Sequence, residues 1–276
     1  IDGMASVRHL FNLDRPYTSK ELNQAHEAIA KSALLREYTP ESPQPYLLRG
    51  QIYAALKEYK DAKKMLKKAI ELEPRNDFAL MRLGVVSYLS GDFVAAVQNL
   101  ESAQKINPNS KWTYLWRGII SLEQKKPIEE VVGWLNKALK IDPKFDLAYY
   151  NLAWANLKKR PKDYRASEKH FRRALALNPA YKEAFYGLGM VFGYQNEYQI
   201  AETYFSKAIE LDETFLTAYK WRGIVRDEMK MFDLAMEDFS KAIDLDPSSG
   251  DTYVRRARVA TKVPLYEKAM KDLALA

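Results

Sequence analysis

Residues 183–213 read EAFYGLGMVFGYQNEYQIAETYFSKAIELDE, two apolar runs of helical period joined by the polar stretch YQNEY. Gly189 stands early in it, Phe205 and Ala208 stand late, and Glu213 closes it. The arrangement returns along most of the chain. The small residue recurs as Gly50, Gly84, Gly118, Ala153, Gly189, Gly223 and Ala257. The alanine recurs as Ala69, Ala103, Ala138, Ala174, Ala208, Ala242 and Ala276. Three residues before each alanine stands Leu66, Leu100, Leu135, Phe171, Phe205, Phe239 or Leu273. Pro74, Pro108, Pro143, Pro179 and Pro247 end units, with Glu213 in the place of a sixth proline, at spacings of 34, 35, 36, 34 and 34 residues. Such a period marks stacked repeats.

Each unit reads as two amphipathic helices of about 14 residues, with apolar positions at i, i+3, i+4 and i+7. The small residue on the first helix, helix A, lets helix B approach closely. The Leu/Phe column fills the space between them, and proline stops helix B by removing a donor and clashing with the preceding turn. GLGMVFG at 187–193 has the look of a phosphate loop, but it lies inside a helix A, where Gly189 serves packing.

These residues and this period resemble the tetratricopeptide repeat family. The resemblance implies an all-α fold, a right-handed α-α superhelix of stacked antiparallel helix pairs. Its units fall at 43–76, 77–110, 111–145, 146–181, 182–215, 216–249 and a truncated 250–276. Residues 18–42 form a capping helix or partial first repeat, opened by the capping box Thr18-x-x-Glu21, and residues 1–17 an extension with one short helix. The chain starts at Ile1 and carries no polar capping helix after Ala276, so the natural protein is expected to continue and its C-terminal face to offer a route to self-association.

Composition excludes several functions. There are no cysteines, so disulfides, thiolate metal sites and cysteine nucleophiles are absent. The histidines His9, His26 and His170 share no ligand spacing, and no nucleophile–base set occurs. The pairs Asp227-Glu228 and Glu237-Asp238 read as solvated carboxylates. No enzyme activity, cofactor or metal is expected. No segment is long and apolar enough to span a bilayer. The expectation is a soluble protein, cytoplasmic or periplasmic.

What remains is a surface for partners. In a stacked solenoid the A helices form the inner layer, with one face on helix B and another on a concave groove. In KWTYLWRG, residues 111–118, Tyr114 and Gly118 share the packing face, while Trp112, Leu115 and Trp116 fall on the opposite one. Equivalent slots give Met81, Arg82 and Tyr88, then Tyr150, Asn151, Trp154 and Lys158, then Tyr186, Met190 and Tyr194, then Lys220 and Trp221. This stripe predicts a groove for a protein or peptide with apolar side chains, with acidic ones drawn to Arg82, Lys158 and Lys220. If the rings are exposed, Trp116→Ala and Trp154→Ala leave stability nearly unchanged.

The net charge of +7 is concentrated at 156–173, where Lys158, Lys159, Arg160, Lys162, Arg165, Lys169, Arg172 and Arg173 outnumber Asp163 and Glu168. Those charges are expected to face away from the aromatic stripe, as a solvated basic edge. Nucleic acid is therefore disfavoured as a partner, since base stacking needs rings among the charges. A further alternative is that the repeats are the targeting or regulatory arm of a larger enzyme.

Overall fold

The structure is a computed structural model that describes Glu27 and residues 41–159, 161–263 and 266–275. The expected helices at 1–17 and 18–42 fall largely outside the described residues, as do Arg160 and Ala276. The described residues hold fourteen α-helices and no strand. They are α1 (Gln44–Ala55), α2 (Tyr59–Leu72), α3 (Asp77–Leu89), α4 (Phe93–Ile106), α5 (Lys111–Glu123), α6 (Ile128–Ile141) and α7 (Asp146–Lys158). The remainder are α8 (Tyr164–Leu177), α9 (Lys182–Tyr194), α10 (Tyr198–Leu211), α11 (Leu216–Glu228), α12 (Phe232–Leu245), α13 (Gly250–Ala260) and α14 (Tyr266–Leu275). Odd-numbered helices are the A helices of the sequence pattern, and even-numbered ones the B helices. The chain divides into two compact units, residues 1–151 and 152–276, the division falling inside α7.

Local chemistry sets where the helices start and turn. Asn76 and Asp92 cap α3 and α4 by accepting from the N–H groups of Ala79 and Ala95 at 2.8 and 3.0 Å. Asp163 does the same for α8 through Ala166 N–H at 3.0 Å. Five A-to-B turns pass through a left-handed residue: Lys57, Gly91, Lys125, Asn196 and Lys230. The following residue then donates back into helix A, as Glu58 N–H does to the Tyr53 carbonyl at 2.9 Å. Asp92, Lys126, Glu197 and Met231 repeat that bond to Ser87, Ser121, Phe192 and Arg226. This closes the carbonyls that a helix end leaves unpaired.

In the first unit each helix packs on the next from α1 through α6, and α3 also touches α1 and α5, so the A helices form one layer. The small-residue column lies where the sequence places it. A methyl group at Gly84 would stand 2.9 Å from Leu100 Cγ, and one at Gly118 would stand 2.8 Å from Leu135 Cδ2. Leu66, Leu100 and Leu135 are completely buried beside these glycines, as are Ala69, Ala103 and Ala138.

The second unit repeats this packing from α8 through α14. Phe205 fills the space over Gly189, and Gly187 admits Phe171 from the preceding B helix. Phe239 is buried with Ala257 and Ala260 of the next A helix. Leu273 departs from its column and is 56% exposed. A counterpart to the helix A that covers Phe239 does not occur after α14 among the described residues.

Two carboxylates depart from the solvated reading. Asp227 and Asp238 are buried, whereas their neighbours Glu228 and Glu237 are exposed. The reason is cations from other helices. Arg222 of α11 grips Asp238 of α12 through Nε and Nη2 and reaches Ser206 of α10 through Nη1 at 3.0 Å. Arg226 adds bonds to Asp238 and Glu202, each at 2.8 Å. Asp227 accepts from Arg258 at 2.9 Å and Lys262 at 2.5 Å. One unit on, Arg256 joins Ser240 to Asp272 in the same way. An arginine on helix A thus ties its own helix B to the preceding one.

Candidate peptide-binding cleft

In the first unit, Phe78, Met81 and Arg82 stand at i, i+3 and i+4 on α3 and share one helix face. Trp112 and Trp116 stand one turn apart on α5. Together these five line a cleft of about 290 Å³. Phe78 is 42% exposed and Trp112 36%, so two large rings form its open rim. Met81 and Trp116 are buried and form its floor.

Arg82 is the charged group in this cleft. Its guanidinium lies 5.3 Å from the centre of the Phe78 ring, and Nη2 donates to Gln51 Oε1 of α1 at 3.4 Å. Burial holds its pKa below the ordinary arginine value. The group stays cationic at neutral pH, but it sits where an added carboxylate is worth more than in open water. A second hollow, of about 640 Å³, adjoins the cleft and is lined by Leu47, Leu48, Gln51, Asn76 and Phe78 among others. Phe78 belongs to both sets of walls, and Gln51 of the hollow accepts from Arg82 of the cleft. The exposed side chains Leu48, Phe78 and Trp112 therefore follow one another along α1, α3 and α5.

Lys111 fixes the far side of Trp112. Its ammonium is 4.7 Å from the Phe145 ring and 5.8 Å from the Trp112 ring, and it pairs with Asp142 at 2.5 Å. Trp112 meets Phe145 edge-on at 4.9 Å. The Lys111 hydrogen bond, followed by the Lys144 backbone N–H, holds the Asp142 carboxyl below the usual carboxylate range.

The expected stripe of exposed rings needs correction. Met81, Tyr88, Leu115, Trp116, Tyr150, Asn151, Trp154, Tyr186 and Met190 are buried. Neighbouring helices cover them. Trp116 lies 6.1 Å from Tyr88 of α3, and Trp154 packs edge-on against Phe171 and lies 6.2 Å from Tyr186. Tyr186 meets Phe205 and Phe215 as well. Burial raises the Tyr88 phenol above its ordinary pKa, and Glu123 adds to the effect. Asn151 turns back on its own helix and donates to the Leu147 carbonyl. Of the aromatic positions in the predicted stripe, Trp112 and Tyr194 are exposed and Trp221 is half-buried. Lys220 is held by Asp251 at 3.1 Å and by Ser249.

Phe78 and Leu48 escaped the sequence reading. Phe78 precedes Trp112 by one repeat of 34 residues, so the Trp112 column was the signal that could have found it. The basic edge also differs from expectation. Lys158, Lys159, Arg165, Lys169, Arg172 and Arg173 are exposed, and Arg172 bridges Glu168 at 2.7 Å. Lys162, however, lies 3.3 Å from the centre of the Tyr194 ring rather than facing away from the aromatics. Burial lowers the pKa of His170, with Lys169 contributing. Among the described residues no group of three or more His, Cys, Asp and Glu could hold a metal, and no helix is long and apolar enough to cross a membrane.

Comparison with known proteins agrees with this architecture. Residues 43–76, 183–215 and 217–249 match the tetratricopeptide repeat family. A stretch of 103 residues is 34% identical to the human protein O-mannosyl-transferase TMTC3, covering 37% of this chain and 11% of that protein. Another of 134 residues is 29% identical to anaphase-promoting complex subunit 3 of Schizosaccharomyces pombe, covering 49% of this chain and 20% of the relative. The chain thus spans a fifth or less of these two relatives. Among solved structures, the hetero-tetramer Cut9-Hcn1 of the APC/C is similar in fold, with a TM-score of 0.76 and 16% identity over 85% of this chain and 46% of that one. The repeat columns, the fourteen paired helices and these matches agree, and the chain is a tetratricopeptide-repeat protein with the all-α fold of that family.

Proposed function

We propose that the chain is a non-catalytic protein-interaction scaffold, and that the Phe78–Arg82–Trp112 cleft holds a segment of a partner protein. The observation that carries this reading is a half-buried arginine set between two exposed aromatic rings. Rings of that size, left open to water beside a hollow, favour an apolar side chain of the partner. Arg82 favours a carboxylate placed next to it, since a planar guanidinium offers a carboxylate a two-point contact. The segment recognised is therefore one with an acidic residue close to an aromatic or aliphatic one. The similarity to a subunit of a multi-subunit complex supports the scaffold role.

Selection from a displayed library of random 12-residue peptides tests this. Enriched sequences should pair Asp or Glu with a large apolar residue, and Arg82→Ala or Trp112→Ala should abolish their binding. Enrichment of sequences without that pairing, or binding indifferent to both changes, would argue against the cleft. A second reading, in which the repeats are the targeting or regulatory arm of a larger enzyme, draws on the likeness to a mannosyl-transferase of which the matched stretch is 11%. The mass of the native polypeptide, measured against 31.9 kDa, decides it.

A further inference from the structure

The second unit carries a surface where basic residues and rings meet. Tyr194 ends α9 and is 40% exposed. Trp221 of α11 meets it edge-on at 6.2 Å, and Tyr164 of α8 lies 6.4 Å away at a tilt of 33°. Lys162, from the turn before α8, stands over the Tyr194 ring with its ammonium 3.3 Å from the centre. The same turn and the helix ends beside it bring the exposed Lys158, Lys159 and Arg165. The nearest acids in sequence are already engaged: Asp163 caps α8, and Glu168 pairs with Arg172.

We infer that this patch is a second docking surface, distinct from the Arg82 cleft, for an acidic segment of a partner protein carrying an aromatic or aliphatic side chain. Charge complementarity names the partner class. The 156–173 stretch carries eight Lys or Arg against two acids, a balance of +6 in a chain whose net charge is +7, so an anionic segment is drawn to this edge more than to the rest of the surface. The ring geometry separates protein from nucleic acid. A base stacking on Tyr194 must displace Lys162, Trp221 or Tyr164, each of which already uses that ring. Carboxylates reach Lys158, Lys159 and Lys162 without disturbing it, and an apolar side chain of the same segment can rest against the exposed part of Tyr194. A cation held over a ring is also positioned in advance, which lowers the ordering cost of binding.

The probe is a fluorescein-labelled 12-residue peptide of Asp and Glu with two Phe, titrated by anisotropy at 50 mM NaCl, beside a labelled dT 20-mer. The full chain should bind the peptide saturably, and 300 mM NaCl should weaken it at least tenfold. In an Arg82→Ala, Trp112→Ala background, which removes the cleft as a competing site, the peptide should still bind saturably, and adding Lys159→Glu with Lys162→Glu should reduce that affinity at least tenfold. Lys158 and Lys159 are both exposed, so Lys159→Glu with Lys158→Glu serves if the change at Lys162 disturbs folding by circular dichroism; it should weaken binding by a similar factor. Absence of saturable peptide binding, binding of the dT oligomer alone, or loss through the Arg82 and Trp112 changes instead would each overturn the proposal.

Discussion

Trp112 and Trp116 lie one helical turn apart on α5, yet Trp116 is 2% exposed and Trp112 is 36% exposed. Tyr88 of the preceding helix A lies beside Trp116, whereas Trp112 extends to the rim and meets Phe145 edge-on. The same stretch of sequence therefore supplies a core residue and an exposed ring at the rim of the cleft. Trp116→Ala should cost about 3–5 kcal/mol, since it empties a buried site of that size. Trp112→Ala should cost about 1 kcal/mol or less, mostly its ring contact. Urea denaturation of the two variants checks this; equal losses would remove the distinction between floor and rim.

Three turns place a lysine where glycine is favoured. Lys57, Lys125 and Lys230 have φ values of 64°, 55° and 61°. A side chain in that left-handed conformation costs roughly 1–2 kcal/mol, which glycine avoids at some expense in chain entropy. Replacing each by glycine should therefore stabilise the protein by about 0.5–1 kcal/mol, read as a higher urea midpoint at an unchanged slope. A loss of stability would mean that the lysine side chains contribute contacts that outweigh the strain.

Asp238 is held by two arginines away from water, and its sequence neighbour Glu237 is exposed. Asp238→Ala should cost about 3–5 kcal/mol, because it leaves Arg222 and Arg226 half-buried without their carboxylate. Glu237→Ala should stay within about 0.5 kcal/mol. Thermal or urea unfolding of the pair distinguishes a buried ion cluster from a solvated acidic face.

Acid should weaken the fold. Asp142 is held below the usual carboxylate range by Lys111 and the Lys144 N–H, and Asp246 by the Ser248 hydroxyl and backbone N–H. A depressed folded-state pKa contributes stability that is complete above the unfolded value, about 3.9, and is lost as pH falls below it. The melting temperature should drop between about pH 4 and pH 2, and Lys111→Met should make that drop shallower. An identical acid profile in the variant would separate Lys111 from Asp142.

The repeat was legible because its period needs only residue type and spacing. Gly84 and Gly118 pack against Leu100 and Leu135 as their columns require. Exposure was not legible in the same way. A helical wheel gives the direction in which Trp116 or Trp154 points, but not that Tyr88, Phe171 and Tyr186 arrive there from other helices. The buried acids were hidden for a related reason. Asp238 looks solvated beside Glu237, and its partner Arg222 stands 16 residues away, a spacing that Arg256 and Asp272 repeat. Lys162 reaches Tyr194 from a turn, where no helical period fixes the direction of a side chain.

The central claim is that a partner segment lies on Phe78, Arg82 and Trp112. A library-selected 12-residue peptide carrying a benzophenone beside its acidic residue measures this directly. After irradiation and proteolysis, mass spectrometry should place the crosslinks on α3 and α5 around those three residues, with none in an Arg82→Ala variant that remains helical. Crosslinks confined to the B helices α2, α4 and α6, or unchanged by Arg82→Ala, would contradict the account.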